Sequence, residues 1–301
     1  MRTVTTGLAL LVWLWARPAL AHGDGSWSAG TWTYDPKVVI PLYVSAILYL
    51  VGTWRLWRRA GHGRGIRHWQ AACFWLGWIT LALGLTSPLH WLGERLFTAH
   101  MIEHEILMTI SAPLFVLARP IGGILWALPA RWRGSVGGLA RVRPLAKPWC
   151  ALTDPLAATI LHGIALWVWH MPALYNLVLV HSGIHWLQHV SFFGTALLFW
   201  QALLRGRARE RGFGPAIFYL FATALHSGVL GILLTISRSV WYPGQALFAA
   251  EWGLTPLEDQ QLAGLVMWVP AGVIYAVAAL ALAGLWIARA GRGGAYAVST
   301  P

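Results

Sequence analysis

The most prominent pattern in the sequence is a series of long apolar stretches separated by short polar segments. A membrane-spanning helix needs about 20 predominantly apolar residues, and seven stretches approach or exceed that length. They run from Val38 to Leu56, His68 to Ser87, Ala99 to Ala118, Pro155 to Met171, His185 to Leu204, Pro215 to Ile236, and Leu262 to Ile287. The pattern predicts an all-α, polytopic membrane bundle with about seven transmembrane helices and no separate soluble domain.

Composition supports a membrane protein and argues against a soluble one. The chain has 301 residues, of which 57% are hydrophobic and 11% are charged, whereas soluble domains carry roughly 25% charged residues. The formal charge of +12 does not indicate a nucleic-acid partner, because the basic residues lie in short runs between apolar stretches. The predicted surroundings are therefore membrane lipid. The two cysteines, Cys73 and Cys150, stand far apart and in no metal-binding or redox spacing.

The basic residues alternate sides when the chain crosses the membrane seven times. Of the 22 lysines and arginines, 17 fall on one side. These are Arg55, Arg58, Arg59, Arg64, Arg67, Arg119, Arg131, Arg133, Arg141, Arg143, Lys147, Arg205, Arg207, Arg209, Arg211, Arg289 and Arg292. Because cytoplasmic loops carry the excess of basic residues, the mature N-terminus is predicted to be periplasmic and the C-terminus cytoplasmic. The predicted location is the bacterial inner membrane.

The N-terminus has the features of a signal peptide. Arg2 provides a positive start, Leu8 to Trp15 is a short apolar run, and Ala19 to Ala21 matches a cleavage site with small residues. An uncleaved first span is the alternative. The predicted organisation is a signal peptide over residues 1–21, a transmembrane domain over 22–290 and a cytoplasmic tail over 291–301. Cleavage would leave His22 at the N-terminus, where its amino group and imidazole could bind copper together.

Histidines are concentrated at one predicted level of the membrane. His100 and His104 lie four residues apart in the third stretch, and His181, His185 and His189 repeat that spacing before and into the fifth. Residues four apart share one face of a helix, so each set could present two imidazoles to one metal ion. Ionisable groups within spans are costly and indicate a functional site. We predict a metal or haem site on the periplasmic side, with His100, His104, His185 and His189 as its ligands.

Additional candidate ligands surround these four histidines. They are His170, His181, His226, Met108 and His22. Met108 continues the His100–His104 stripe by one helical turn, and a thioether favours Cu(I) while imidazole also suits zinc and iron. For any single histidine the alternative is an amphipathic side chain at the membrane interface. For His162, near the middle of the fourth stretch, an interhelical hydrogen bond is the favoured interpretation.

Three blocks of the sequence resemble a known family. The segment from Ser87 to Pro120 contains HMIEH, the segment from Leu166 to Trp200 contains WHMPALY, and the segment from Leu254 to Tyr275 contains EDQQLAG. In this order, the blocks are similar to the multi-pass CtaG family of cytochrome c oxidase assembly proteins. The resemblance implies a role in maturing a haem-copper oxidase by delivering or inserting copper, with oxidase subunits or other assembly factors as partners and no enzymatic turnover.

The same resemblance bears on individual residues. The family's histidine positions match His100, His104, His170, His185 and His189. The resemblance also raises the importance of the block from Glu258 to Gln261, which local physics alone interprets as helix capping. Glu103 and Glu258 are candidates for orienting the ligands or aiding their deprotonation.

Three alternatives to copper handling follow from the same residues. A b-type cytochrome would use facing histidines to hold haem for electron transfer. A metal permease would need polar residues through the full depth of the spans, and the inner halves here are nearly free of ionisable groups. A metal-free scaffold for oxidase subunits would not need the histidines.

Overall fold

The computed structural model describes residues 31–139, 142–205 and 213–297, and within these ranges the chain is helical and contains no strand. Six helices of the described ranges are long and apolar enough to cross a membrane. They are Pro36–Ala60, His68–Thr86, Phe97–Ala118, Ser182–Arg205, Phe213–Ile236 and Pro256–Arg289. The all-helical architecture is therefore confirmed. The predicted signal peptide and His22 lie outside the described residues, and the orientation of the two termini stays a prediction.

Large apolar side chains cover the outer surface of these helices. Leu50, Phe218, Phe221 and Leu280 are each exposed over more than half of their area. A soluble protein rarely exposes a continuous apolar surface of this kind. The outward faces of the bundle are therefore suited to contact with lipid.

The fourth predicted stretch is a shorter helix than the others. It runs over Pro155–Trp169, and the Asp154 side chain caps its start by accepting from the backbone N–H groups of Leu156 and Ala157. Fifteen residues extend about 22 Å, which is less than the hydrocarbon thickness of about 30 Å. This helix continues the segment Ala146–Leu152 across a bend of 68°. The described part of the chain therefore has seven candidate spans if this bent pair is one span, and six otherwise.

The third span changes its helical pitch midway. An α-helix over Phe97–Glu105 is followed by a π-helical segment, Ile106–Ser111, and then by α-helix again over Ala112–Ala118. In the wider turn the Ala112 N–H donates to the carbonyl of Leu107 instead of that of Met108. The next residue, Pro113, has no N–H that could donate to the Met108 carbonyl. The freed Met108 carbonyl accepts a hydrogen bond of 2.9 Å from Trp200 Nε1 instead. This bond fixes the third span against the helix Ser182–Arg205.

Short segments gather at the end of the bundle where the third span begins. They are the helices Pro88–Gly93 and Pro172–Val180 and the 3₁₀ segment Gln245–Trp252. Gln245 Nε2 donates to the Gly93 carbonyl over 2.7 Å, and the Tyr242 hydroxyl donates to the His170 carbonyl over 2.6 Å. These bonds join the segments into a cover over the first turns of the third span.

The last two long helices form the most extensive helix pair, Phe213–Ile236 against Pro256–Ala297. Their backbones approach at Gly231 and Gly264, where an added Cβ on Gly264 would lie 2.5 Å from the Gly231 carbonyl oxygen. Small residues allow such close approach between membrane helices. The pairing sets the position of the N-terminal turn of the last helix, which contacts the start of the third span.

Candidate metal centre

Two helices bring the four predicted ligands together. His100 and His104 come from the helix Phe97–Glu105, and His185 and His189 come from Ser182–Arg205. The ring centroids are 4.2 Å apart for His100 and His104, 4.5 Å for His185 and His189, 5.5 Å for His100 and His185, and 5.2 Å for His104 and His189. The i,i+4 spacing seen in the sequence therefore becomes one compact group of imidazoles.

A fifth histidine, which was not among the predicted ligands, joins this group. His90 lies on the short helix Pro88–Gly93, and its ring stacks on that of His185 with centroids 5.5 Å apart and 14° between the planes. Its centroid is also 5.8 Å from that of His189. We call His90, His100, His104, His185 and His189 the histidine cluster. His90 has no histidine at helical spacing, so the sequence offered no pattern that would have assigned it.

Glu103 lies inside the histidine cluster and is fully buried. Its Oε1 atom is 2.9 Å from Nδ1 of His90 and 3.4 Å from Nε2 of His189. Burial opposes protonation of His90, but the Glu103 carboxylate and its hydrogen bond, with smaller contributions from Glu94 and Asp35, raise the pKa of His90. Glu103 therefore links the short helix to the helix that carries His185 and His189.

Many polar atoms in the cluster are buried without a hydrogen-bond partner. They include Nε2 of His185, both ring nitrogens of His104 and Oε2 of Glu103. A buried polar atom without a partner costs about 1–3 kcal/mol, so a group of them favours a bound cation or ordered water. Imidazole nitrogens are suitable ligands for copper, zinc or iron. The residues present fit a metal ion by donor chemistry.

The rings are not, however, placed as a complete ligand set. No three His, Cys, Asp or Glu side chains in the described part of the chain form a group that could hold a metal ion as they stand. The His100 and His104 rings meet edge to face, with 69° between their planes, as do those of His104 and His189, at 84°. Binding a single ion would require the rings to turn toward it.

His170, a second-choice ligand, lies beside a methionine that the sequence did not single out. Its Nδ1 atom is 2.6 Å from the carbonyl oxygen of Leu166, and its Nε2 atom is 3.5 Å from Sδ of Met101. Both His104 and His170 pack against Phe192, so the His170–Met101 pair adjoins the histidine cluster.

Other second-choice ligands lie elsewhere. His181 is exposed and ends the helix Pro172–Val180. Met108 is buried in the main hydrophobic core. His226 lies against the helix Pro155–Trp169, where a Cβ on Gly163 would be 3.4 Å from its Nε2 atom, and none of the described ring contacts joins it to the cluster.

His162 makes the interhelical contact that its depth predicted. Its Nδ1 atom lies 3.1 Å from the hydroxyl oxygen of Thr195 on the neighbouring long helix. Its ring also stacks on Phe199, with centroids 5.5 Å apart. This residue therefore connects two helices and lies outside the histidine cluster.

The block from Glu258 to Gln261, at the start of the last helix, contacts the helix that carries His100 and His104. Asp259 is buried and accepts from the backbone N–H groups of Phe97 and Thr98, over 2.7 and 2.9 Å. Gln260 accepts from the Trp241 N–H over 2.6 Å. Glu258, by contrast, is exposed and bonds Thr255 in a local cap. The acidic residue that acts on the site helix is thus Asp259, where the sequence had suggested Glu258.

The fold and site define a class: a polytopic helical membrane protein with a buried histidine cluster near one end of the bundle. The family comparison is more specific. Residues 47–289 match the model of the cytochrome c oxidase caa3 assembly factors, and the chain belongs to that family. The resemblance seen in the sequence is therefore confirmed. The family is described as assembly factors of cytochrome c oxidase.

Individual relatives are more distant. An uncharacterised protein of Mycobacterium leprae is 25% identical over 270 residues, covering 85% of this chain and 39% of the relative. Uncharacterised proteins of Mycobacterium bovis and Mycobacterium tuberculosis are each 24% identical over 253 residues, covering 79% of this chain and 36% of the relative. The chain thus spans less than half the length of these relatives. No solved structure gives a significant match.

Proposed function

We propose that this protein assists assembly of a haem-copper oxidase by holding copper at the histidine cluster and passing it to an oxidase component. The observation that carries the proposal is the convergence of five imidazoles from three helices, where the ring nitrogens of His104 and Nε2 of His185 are buried without a hydrogen-bond partner. Copper is the cargo of the protein, and no chemical turnover is required of it.

The proposed role of Glu103 is to orient two ligands. A carboxylate that hydrogen-bonds to a metal-binding histidine fixes the orientation and tautomer of its ring. Glu103 contacts both His90 and His189. A cluster without cysteine ligands holds its ion less permanently than a closed thiolate site, as delivery requires.

The proposed side of delivery follows from charge. The histidine cluster lies at the end of the bundle opposite the basic loop that contains Arg58, Arg59 and Arg64. The positive-inside rule assigns that loop to the cytoplasm. The cluster would then open toward the periplasm, and oxidase components exposed there are the proposed recipients.

The decisive experiment compares metal content of the purified full-length protein with and without the central ligands. The double variant His100→Ala/His104→Ala is expected to lose copper and to abolish oxidase assembly in cells. A matched control is His62→Ala/His68→Ala, because these two histidines lie beside Trp57 near the start of the second long helix, at its far end from the cluster. The control is expected to retain both bound copper and oxidase assembly.

Each alternative gives a different result in the same experiment. A strong Soret band in the purified wild type would replace the copper proposal with a haem-binding electron carrier. Oxidase assembly that survives in His100→Ala/His104→Ala would indicate a metal-free scaffold. Copper transport across sealed vesicles by the purified protein would indicate a permease.

A further inference from the structure

Met101 and His170 form a buried pair at the edge of the histidine cluster. Met101 directly follows His100 in the chain, and His170 comes immediately after the helix Pro155–Trp169. Met101 is 1% exposed and His170 is 4% exposed. The sulfur atom of Met101 and Nε2 of His170 face each other over 3.5 Å.

The hydrogen bonding of His170 determines what its Nε2 atom can offer. Its Nδ1 atom lies 2.6 Å from the carbonyl oxygen of Leu166, and a carbonyl can only accept. A neutral imidazole carries one N–H, so Nδ1 holds the hydrogen and Nε2 presents a lone pair. The Met101 thioether is also an acceptor only. Two lone pairs therefore face each other in a buried place.

The backbone of His170 is fixed by a second bond. The Tyr242 hydroxyl donates to the His170 carbonyl over 2.6 Å, and Tyr242 is itself buried. The ring is thus restrained by Leu166 through Nδ1 and by Tyr242 through the main chain. A side chain restrained in this way keeps Nε2 directed at the sulfur atom, so the pair is pre-arranged for a cation.

We infer that Met101 and His170 form a binding position for Cu(I), adjoining the histidine cluster. This inference rests on the proposed function and specifies the oxidation state in which the cargo is held. A thioether is a soft ligand that selects Cu(I), whereas imidazole accepts zinc, iron and both states of copper. The position would distinguish Cu(I) from Zn²⁺, which a group of histidines alone does not.

The test compares two buried methionines of the same span. Met101→Leu removes the sulfur with little change in volume, and Met108→Leu is the matched control because Met108 lies in the hydrophobic core. Cu(I) affinity is measured on purified full-length protein, under anaerobic reducing conditions, by competition with a chromophoric Cu(I) chelator. We expect Met101→Leu to weaken Cu(I) binding at least about tenfold, with Zn²⁺ binding unchanged and Met108→Leu like wild type. Cu(I) affinity of Met101→Leu within about twofold of wild type would overturn the inference.

X-ray absorption at the copper edge provides a readout that does not depend on the variant folding. In selenomethionine-labelled wild type, we expect a copper–selenium scattering distance, and in Met101→Leu we expect that distance to be lost. A copper site with nitrogen ligands only in labelled wild type would overturn this inference and leave the histidine cluster standing. If the wild type binds no Cu(I), both this inference and the proposed copper role of the histidine cluster are overturned. If His100→Ala/His104→Ala retains copper with a copper–selenium distance, only the role of the histidine cluster is overturned.

Discussion

The Asp259 carboxylate accepts a hydrogen bond of 2.9 Å from the backbone N–H of Thr98, across 161 residues of sequence. The same side chain accepts from the Thr98 hydroxyl over 2.7 Å and from the Phe97 N–H over 2.7 Å. These N–H groups belong to the first turn of the helix that carries His100 and His104, where no intrahelical partner is available. A residue of the last helix thus caps the helix that bears the site.

Asp259→Asn should therefore weaken both the fold and the site. The variant keeps the shape of the side chain but removes the negative charge and one of the two accepting oxygens. Buried hydrogen bonds to charged groups contribute about 1.5–3 kcal/mol, and we expect a loss of that size in the free energy of unfolding in mixed micelles. Copper affinity should fall as well, because the His100–His104 turn is less well fixed.

Glu258→Gln is the matched control for Asp259→Asn. Glu258 precedes Asp259 in the chain but is exposed and bonds only its own helix cap at Thr255. Its replacement should have a smaller effect on stability than Asp259→Asn and leave copper affinity unchanged. Equal effects of the two variants would show that Asp259 has no special relation to the site helix.

His185 and His181 provide a second matched pair, one helical turn apart. The His185 ring packs against His90, His100 and His189, whereas His181 is exposed. We expect His185→Ala to weaken copper binding about tenfold or more and His181→Ala to bind as wild type, as measured by equilibrium competition. A strong effect of His181→Ala would place that residue among the ligands after all.

The contact between Glu103 and His90 predicts a pH dependence in the metal-free protein. Because the pKa of His90 is raised above its ordinary value of 6.5, the pair stabilises the fold at pH below 6.5. That contribution is lost as the pH rises through the pKa of the folded state. Glu103→Gln should lower the pKa of His90 and remove this dependence, as followed by NMR of isotope-labelled histidines.

The control for this titration is Glu94→Gln. Glu94 Oε1 lies 4.0 Å from His90 Nε2 and its side chain is 55% exposed, so water screens the interaction. His90 also lies within the electrostatic influence of Asp35, which both variants retain. If Glu94→Gln lowered the pKa of His90 as much as Glu103→Gln, the buried contact would not be the cause of the shift.

Hydrophobic length alone predicted most of the fold, because a lipid-facing helix must be apolar over the full membrane thickness. It was least accurate for the stretch beginning at Pro155, since length and hydropathy do not show a bend. The π-helical segment from Ile106 to Ser111 was also not predicted. It depends on Pro113 and on the distant indole of Trp200, a tertiary contact with no local pattern.

The proximity of the histidines was predictable only where they repeat at helical spacing. His100, His104, His185 and His189 were expected to lie together because i,i+4 pairs share a face. His90 and Met101 were missed, since each enters the site through tertiary contacts between separate segments. Asp259 was identified as part of a family block, but its partner Thr98 is set by how the last helix packs.

The close approach of the last two long helices makes Gly264 sensitive to any added side chain. A Cβ at Gly264 would lie 2.5 Å from the Gly231 carbonyl oxygen and 2.6 Å from the Thr235 hydroxyl oxygen, so Gly264→Ala must separate the two backbones. Overpacking of this kind costs about 1–3 kcal/mol. Because Asp259 lies on the same helix, we expect the substitution to lower copper affinity together with thermal stability.

Gly272→Ala on the same helix separates this effect from helix propensity. A Cβ at Gly272 meets no atom within 4 Å, and alanine is intrinsically favoured over glycine in a helix by about 1 kcal/mol. This variant should therefore melt at or above the wild-type temperature and bind copper normally. If Gly264→Ala melted at the same temperature as Gly272→Ala, the helix pair would not be held at close approach, and the position of Asp259 at the site helix would need another explanation.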